Sequence, residues 1–371
     1  MKELQQILEA FERLCHRDGA AVLVSVLRVE GSAYRRAGAR ALIAFDRETV
    51  GLVSGGCLEA DLALRASAVF SDGAPRCVRY DSRADEDRLF GLGVGCHGAV
   101  DVLLERVDAA SPGPLGFLRR CYAERRAGVL VVQVGSPDES GRSSVARWTL
   151  GEDDPLCGPR LPADEQRAVD ARAREVRRAG RSHFAANAAG ATLYEWLPRQ
   201  VRLLLLGAGP DATPLVALAN ELGWRVELVD PRAGFAKPER FPSAHAVMHG
   251  EPRKTLARLE VDSRTAVVVM NHHYERDRAS LAALWDLPVG YLGVLGPRAR
   301  TAELLDDIQK QDVHTTSEPH TRLHAPVGLD VGAESPHEVA LSIVAEIQAV
   351  LAGHSGGFLR ERQAPIHAPN S

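Results

Sequence analysis

The segment Ser54-Gly55-Gly56-Cys57 joins a predicted strand to a predicted helix, and Glu59 follows it closely. Two glycines at such a turn let a ligand approach the backbone. The pattern places Cys57 in the first turn of the helix, where the helix dipole favours the thiolate. A thiolate there can hold a soft metal or a sulfur-bearing ligand, or attack an electrophile. The alternative stays open that Ser54 is only the helix cap and Cys57 only a small buried apolar residue.

A second thiol, Cys96, lies next to His97 in the glycine-rich segment 91–98. Such glycine density ahead of a predicted strand indicates a tight turn with exposed backbone N–H donors, which suits an anion. Adjacent Cys96 and His97 do not have the spacing of zinc ligands, so the segment predicts no metal site. A plain loop with an incidental thiol explains the same residues equally well.

Gly207 and Gly209 follow an apolar strand and precede a predicted helix that begins at Ala212. The pattern Gly-x-Gly-x-x-Ala is typical of a dinucleotide-binding turn, because the glycines admit a pyrophosphate and the helix N-terminus attracts it. Asp230 ends the next predicted strand, which is the usual place of the carboxylate that binds a ribose hydroxyl. Arg232 is near enough to accept a 2′-phosphate, so NAD, NADP, another nucleotide and no nucleotide all stay open.

Two histidines, His272 and His273, directly follow a predicted strand over residues 266–270, and Arg298 follows the strand over 289–292. The carboxyl ends of parallel strands share one edge of an open α/β sheet, where ligands bind. One histidine is therefore expected to act there as an acid, a base or a ligand, and Arg298 is expected to face a phosphate. The alternatives are histidines that only satisfy local backbone groups and an arginine that only faces water.

The elements that position the first two segments appear as apolar patterns in the N-terminal half of the chain. An amphipathic helix over residues 4–15 precedes a nearly continuous apolar strand over 21–29. Further elements are predicted as strands over 41–45, 49–53, 76–80, 99–107, 129–134 and 145–150, and as helices over 54–70, 114–126 and 163–179. Together these elements predict a mixed α/β domain over residues 1–198.

After Pro198 the strands become short apolar runs without alternation, which is typical of a parallel sheet covered on both faces. They alternate with helical segments and are predicted at 201–207, 224–229, 244–248, 266–270 and 289–292. This rhythm predicts a Rossmann-like, doubly wound parallel sheet over residues 199–355, followed by a flexible tail over 356–371. Ser335, Pro336 and Glu338 form the signature of a capping box that starts a final helix.

The bulk composition limits the classes of function. The 371 residues are 45% hydrophobic and 25% charged, an ordinary globular balance that provides a core for each of two domains. The net charge of −4 and the aromatic content of 5% argue against a nucleic-acid partner. A charged N-terminus and short apolar runs predict no signal peptide and no membrane span, and hence a cytoplasmic protein with reduced thiols.

Several segments, taken together, carry the marks of a known family. They are Gly31–Ala39, Gly51–Glu59 and Gly95–Gly98 in the N-terminal half, and Gly207–Gly209, Val229–Arg232, Asn271–Asp277, Tyr291–Arg298 and Ala325–Gly332 in the C-terminal half. With these segments the chain resembles the XdhC/CoxI family. The resemblance implies an XdhC/CoxI-type N-terminal domain followed by a Rossmann domain.

Members of this family are accessory proteins for molybdenum hydroxylases such as xanthine dehydrogenase. The resemblance implies that the chain binds the molybdenum cofactor (molybdopterin), protects it during sulfuration and helps insert it into the apo-enzyme. The implied partners are the apo molybdenum hydroxylase, a sulfurtransferase and a second copy of the chain in a homodimer. The resemblance would also place Cys57 against the cofactor, and it would let the Rossmann edge bind a phosphate or nucleotide part of the cofactor.

Two other functions stay open. An NAD(P)-dependent oxidoreductase is supported by the glycine turn, by Asp230 and by the two histidines, although no proton-donor constellation of a substrate domain is evident. The third function is a binding chaperone that docks its client and performs no chemistry. The resemblance favours a cofactor-binding chaperone over a catalyst without deciding the question of catalysis.

Overall fold

The computed structural model describes residues 1–17, 19–31, 34–81, 98–187, 190–310 and 321–363. The contacts between residues separate two compact units. The N-terminal unit spans Glu3–Arg199, and the C-terminal unit contains the described residues from Gln200 onward together with Met1 and Lys2. Each unit has its own sheets and its own apolar cores.

A five-stranded antiparallel sheet forms the first part of the N-terminal unit. Its strands are β1 (Ala21–Gly31), β2 (Arg40–Ala44), β3 (Thr49–Gly51), β4 (Arg76–Asp81) and β5 (Gly98–Val107), in the order β3-β2-β1-β5-β4. The helices packed against it are α1 (Lys2–Cys15), α2 (Glu59–Asp72) and α3 (Leu115–Ala123). Because side chains alternate along β1, Val22 and Val24 pack with α2, while Ala21 and Leu23 pack with α1 and α3. Burial of both faces explains the continuous apolar run of this strand.

A second antiparallel sheet completes the N-terminal unit. It comprises β6 (Gly128–Gly135), β7 (Val145–Gly151), β8 (His183–Asn187) and β9 (Gly190–Leu197), in the order β7-β6-β9-β8, with α4 (Ala163–Ala179) packed on it. Val129 and Val131 of β6 pack with α4, and Leu130 and Val132 pack with residues of β1 and β5. The sequence predicts β6, β7 and α4, and these are confirmed, but β8 and β9 are not anticipated.

The C-terminal unit is built on a six-stranded sheet whose pairs are all parallel. Its strands are β10 (Arg202–Leu206), β11 (Arg225–Asp230), β12 (Ala246–His249), β13 (Thr265–Val269), β14 (Tyr291–Val294) and β15 (Leu323–His324), in the order β12-β11-β10-β13-β14-β15. This is the strand order of the Rossmann fold, so the predicted doubly wound parallel sheet is confirmed. The direction of winding reverses between β10 and β13, and their carboxyl ends form the crevice where such sheets bind ligands.

Helices cover both faces of this parallel sheet. They are α5 (Ala212–Glu221) and α9 (Pro336–Leu351) on one face, and α6 (Pro252–Leu256), α7 (Tyr274–Leu284) and α8 (Arg298–Lys310) on the other, with short 3₁₀ turns at Pro238–Arg240 and Leu359–Glu361. The predicted capping box of α9 is confirmed, because the Glu338 carboxylate accepts the Ser335 N–H at 2.7 Å and Ser335 Oγ accepts the Glu338 N–H. In the part of the chain that the structure describes, no helix has both the length and the apolar character required to cross a bilayer.

Candidate functional site

The Ser-Gly-Gly-Cys turn is held in shape by its own two polar side chains. The Glu59 carboxylate accepts the Ser54 N–H at 2.9 Å and also accepts the Ser54 hydroxyl proton. Ser54 Oγ in turn accepts the backbone N–H groups of Gly56 and Leu58, each at 3.1 Å. Ser54 is buried, so both polar side chains serve the turn itself.

The charge of Glu59 suits this role. Burial alone would raise the pKa of Glu59, but the hydrogen bonds from the Ser54 side chain and from backbone N–H groups outweigh it and lower the pKa below its usual value. The carboxylate is therefore a stable acceptor at the base of the turn. Of the six residues from Ser54 to Glu59, those at the two ends hold the loop, and the middle ones remain for a ligand.

The predicted place of Cys57 in the first helical turn is wrong. Helix α2 begins at Glu59, with Leu58 at its N-cap position, so Cys57 precedes the helix. The physical reason lies in Gly56, whose φ of +106° is left-handed and turns the chain before the helix can form. Cys57 is half-buried instead and packs against the apolar cluster between the first sheet and α2.

The middle of the turn presents small residues and a thiol. Gly55 and Gly56 are exposed, and a Cβ built on Gly56 would meet no atom within 4 Å. The ring of Tyr34, which is 65% exposed, lies beside Gly55 at ordinary van der Waals distance. Cys57 thus lies in an accessible, glycine-lined loop next to an exposed aromatic ring.

Other thiols of the N-terminal unit have different surroundings. Burial raises the pKa of Cys77 and of Cys121 to about 11, which keeps both as inert thiols at neutral pH. Cys157 is exposed, and its backbone pairs with Thr149. Cys96, the second predicted thiol of the site, lies outside the described residues.

The glycine turn of the Rossmann unit is built as the fingerprint predicts. Gly207 follows β10 with a φ of +124°, and a Cβ at this position would collide with the carbonyl oxygen of Met270 after β13. The backbone of Ala208 is fixed at both ends, because its N–H donates to Asp230 at 2.8 Å and its carbonyl accepts from Arg240 at 2.9 Å. The turn is therefore rigid and close to the neighbouring strand end.

Asp230 lies where a ribose-binding carboxylate is predicted, but its acceptor capacity is already used. Besides the Ala208 N–H, it accepts the Arg232 N–H at 2.8 Å and two bonds from the Arg232 guanidinium at 2.9 and 2.7 Å. Its side chain is fully buried. Burial alone would raise the pKa of Asp230, but the bonds from Arg232 and Ala208 lower it overall. The Arg232 guanidinium also lies 3.8 Å from the centre of the Phe235 ring, which fixes it further.

The two histidines after β13 differ in their contacts. His272 Nε2 lies 2.8 Å from Asp211 Oδ2, and the His272 backbone has a left-handed φ of +54°. This contact joins the end of the glycine turn to the end of β13, across the predicted crevice. His273 is exposed and occupies the N-cap position of α7 without a side-chain cap. The fingerprint does not single out Asp211, because its position in Gly-x-Gly-x-x-Ala accepts any residue.

A buried polar chain lies behind the histidines. Asn271 donates its backbone N–H and its Nδ2 to Asp277 Oδ1, at 3.1 and 2.9 Å. Asp277, which is buried, accepts a bond of 2.6 Å from Arg300 on its other oxygen. Arg298, which the sequence predicts to face a phosphate, is exposed at the start of α8. Sequence reasoning missed Arg300 because two arginines share that helix start and only one reaches Asp277.

A third polar group supports the loop after β15. Glu346 of α9 accepts the Tyr291 hydroxyl proton, accepts the Gly328 N–H at 2.8 Å and lies 3.3 Å from His324 Nδ1. The Tyr291 and His324 rings stack with centroids 4.3 Å apart. Burial alone would raise the pKa of Glu346, but its bonds to His324, Tyr291 and the Gly328 N–H lower it overall. Glu346 therefore fixes the loop that carries the Pro-Val-Gly-Leu-Asp segment at 326–330.

This arrangement predicts an acid-sensitive stability. Because the folded-state pKa of Glu346 lies below its usual 4.5, its stabilising effect is complete above that value and is lost as the pH falls through the folded-state pKa. We expect Glu346→Gln to lower the free energy of unfolding at pH 7, and the difference from the parent to narrow as the pH falls below 4.5. Urea unfolding at several pH values measures this. The exposed Glu361→Gln should show no such difference, and a gap that stays constant with pH would refute the assignment.

These features define the class of protein: a Rossmann domain of the doubly wound type, joined to an α/β unit that presents a cysteine in a glycine-lined turn. The chain belongs to the XdhC and CoxI family. The model of that family matches residues 14–81, and the model of the XdhC Rossmann domain matches residues 203–347.

Three similar proteins extend over most of the chain. One, from Bacillus subtilis (strain 168), is named a probable subunit of xanthine dehydrogenase and is 32% identical over 327 residues, which cover 88% of this chain and 92% of that protein. The molybdenum cofactor insertion chaperone PaoD of Escherichia coli (strain K12) is 26% identical over 343 residues, which cover 92% of this chain and 86% of PaoD. A crystal structure described as a xanthine dehydrogenase from Bacillus halodurans superposes with a TM-score of 0.77 at 28% identity, over 94% of this chain and 96% of that one.

Proposed function

We propose that this protein binds the molybdenum cofactor, protects it during sulfuration and helps insert it into a molybdenum hydroxylase such as xanthine dehydrogenase. The observation that carries the proposal is the similarity over 92% of the chain to a protein named a molybdenum cofactor insertion chaperone. The similarity to a probable subunit of xanthine dehydrogenase supports the same class of client.

The N-terminal turn fits such a ligand. Gly56 leaves open space above the backbone, and Cys57 supplies a sulfur atom that can contact a soft metal centre. Ser54 and Glu59 bind each other and so position the four residues between them. When bound, the cofactor would supply the molybdenum chemistry, while this chain supplies binding, orientation and shelter from water. We place Cys57 against the cofactor, and we place Cys96 in the same site on sequence grounds.

The accessory role brings partners with it. The apo form of the molybdenum hydroxylase must receive the cofactor, and a sulfurtransferase must supply the sulfur atom. We expect both to dock on this chain in the cytoplasm, where the apo-enzyme is made, and we expect the chain to act as a homodimer. Exposed apolar side chains of the N-terminal unit, among them Phe45 at 80% exposure and Leu64 at 60%, are available for such contacts.

The alternative function, an NAD(P)-dependent oxidoreductase, is weakened by the surroundings of Asp230. Its strongest argument is Asp230 as a ligand of a ribose hydroxyl. That carboxylate is fully buried and saturated by Arg232 and the Ala208 N–H, so a ribose would first have to break these bonds. We therefore keep the cofactor-chaperone function as the conclusion.

The test is to purify the protein from cells that make molybdenum cofactor and to measure bound molybdenum, pterin and nucleotide together. We expect molybdenum and pterin in comparable molar amounts in the parent protein, and their loss in Cys57→Ala. The matched control is Cys157→Ala, since Cys157 is an exposed thiol outside the turn and its loss should leave the content unchanged. The purified proteins are then mixed with apo-hydroxylase, and we expect only the parent and the control to activate it.

Two outcomes would overturn this function. Bound NAD(P) without pterin would move the oxidoreductase to first place. A Cys57→Ala variant that carries and delivers the cofactor as well as the parent would remove Cys57 from the site.

A further inference from the structure

The glycine turn of the Rossmann unit carries a carboxylate where a dinucleotide-binding protein needs to receive a diphosphate. Asp211 Oδ1 lies beside Gly209, so close that a Cβ built on that glycine would be 2.4 Å from it. The other oxygen, Oδ2, is 2.8 Å from His272 Nε2. The Asp211 side chain keeps 24% of its surface exposed, so a ligand in the crevice would meet it.

The carboxylates around the turn disfavour the binding of an anionic ligand. Asp211 and Asp230 face one guanidinium, that of Arg232, and Arg232 is already bound to Asp230 through two hydrogen bonds. Asp211 acts on the same guanidinium through space, since it helps to raise the pKa of Arg232. A pyrophosphate carries two negative charges and would have to displace or neutralise the Asp211 carboxylate to reach the N-terminus of α5.

A second acceptor lies at the neighbouring strand end. Asn271 is 3% exposed and follows β13, next to the glycine turn: a Cβ on Gly207 would come within 3.0 Å of its backbone nitrogen. Its Nδ2 donates to the Asp277 carboxylate, which fixes the orientation of the amide. Among the described residues, Oδ1 finds no hydrogen-bond donor. A buried acceptor without a donor is costly, and a ligand that brings an N–H group would relieve the cost.

We propose that this crevice, between the carboxyl ends of β10 and β13, binds a heterocycle through adjacent N–H donors and rejects the pyrophosphate of NAD(P). Asp211 accepts the two donors of an aminopyrimidinone edge, a ring N–H beside an exocyclic amino group, and Asn271 Oδ1 accepts a further donor. A pterin carries this edge. The choice of a pterin rests on the proposed function, whereas the preference for N–H donors over a diphosphate rests on the two acceptors alone.

Two small molecules distinguish recognition of the N–H donor edge from recognition by ring stacking or overall shape. Pterin has the amino group beside the ring N–H, while lumazine has the same two rings with a carbonyl group in place of the amino group. Both are fluorescent, so each can be titrated with the full-length protein, and NAD⁺ is titrated by calorimetry. We expect the parent to bind pterin at least about tenfold more tightly than lumazine, because a carboxylate repels the carbonyl oxygen and loses one charge-assisted bond. We expect no binding of NAD⁺ under the same conditions.

The variant Asp211→Asn tests the assignment with minimal change of shape. It replaces one acceptor oxygen by a donor, so the preference for pterin over lumazine should fall to within about twofold. Asp286→Asn is the matched control, since it removes one negative charge at an exposed position of the same unit. It should keep the preference of the parent. Thermal unfolding of both variants shows that any loss is not a loss of folding.

Equal binding of pterin and lumazine by the parent would overturn the inference, as would an unchanged preference in Asp211→Asn or binding of NAD⁺ that competes with pterin. The two proposals fail separately. If molybdenum and pterin co-purify with the chain but lumazine binds as tightly as pterin, the accessory function stands and this site is refuted. If the preference for pterin depends on Asp211 but the purified protein never carries molybdenum, this site stands and the accessory function is refuted.

Discussion

Replacing Glu195 by alanine is expected to lower the free energy of unfolding of the N-terminal unit by roughly 3–5 kcal/mol. Glu195 of β9 and Arg40 of β2 form a two-pronged ion pair between the two sheets, with each side chain only 7% exposed. Without the carboxylate, the one hydrogen bond that the described residues still offer to the buried Arg40 guanidinium runs from Nη1 to the Gly38 carbonyl oxygen, at 2.7 Å. Because the positive charge can neither leave nor be solvated, the loss exceeds that of an ordinary hydrogen bond.

Denaturant unfolding followed by hydrogen exchange of β6 and β9 measures this effect within the unit. An exposed pair on α4 supplies the control: Arg172→Ala removes the 2.7 Å partner of Glu175 and should cost less than about 1 kcal/mol. The double variant Arg40→Met with Glu195→Leu should recover most of the loss, since it removes both charges. If Glu195→Ala costs no more than Arg172→Ala, the buried pair does not hold the sheets together.

The second large effect is expected at Gly207. Substitution by alanine should destabilise the C-terminal unit by roughly 2–4 kcal/mol, from backbone strain together with steric overlap. The φ of +124° disfavours any side chain, and the added Cβ would collide with the Met270 carbonyl oxygen, a backbone atom that cannot move alone. The turn should shift away from β13, so the pterin preference assigned to Asp211 should weaken as well.

Gly234→Ala is the control for Gly207. A Cβ on Gly234 meets nothing within 4 Å, and its φ is not left-handed. Its stability should stay within about 0.5 kcal/mol of the parent. Thermal unfolding compares the two variants, and an equal stability for both would mean that the turn does not depend on close contact between β10 and β13.

The apolar pattern predicted the sheet of the C-terminal unit because strands buried on both faces read as unbroken apolar runs, as in β10 and β13. The same pattern missed β8 and β15. The first has the residues His-Phe-Ala-Ala-Asn, which carry little strand preference, and the second is only two residues long. Pairing with β9 and β14 holds these strands, and no local signal reports pairing at a distance.

For the candidate sites too, the sequence predicted some features and missed others. Residue types and spacing located the Ser-Gly-Gly-Cys turn, the glycine fingerprint and the histidines after β13. They did not show where α2 begins, because Ser54 can cap a helix or bind the Glu59 carboxylate, and both look alike in sequence. Residue types and spacing also did not show that the Arg232 guanidinium binds the Asp230 carboxylate, or that Asp211 lies against Gly209. Such outcomes depend on rotamers and on contacts between separate strands.

The bonds between Ser54 and Glu59 have a consequence for the free energy of binding at this turn. The loop they hold is already ordered before any ligand arrives, so no part of the binding free energy is diverted into ordering the chain. The same loop need not collapse when the ligand leaves. If the turn receives the cofactor as proposed, its affinity is set mainly by the contacts with the ligand, and a recipient enzyme with slightly better contacts would take the ligand by competition.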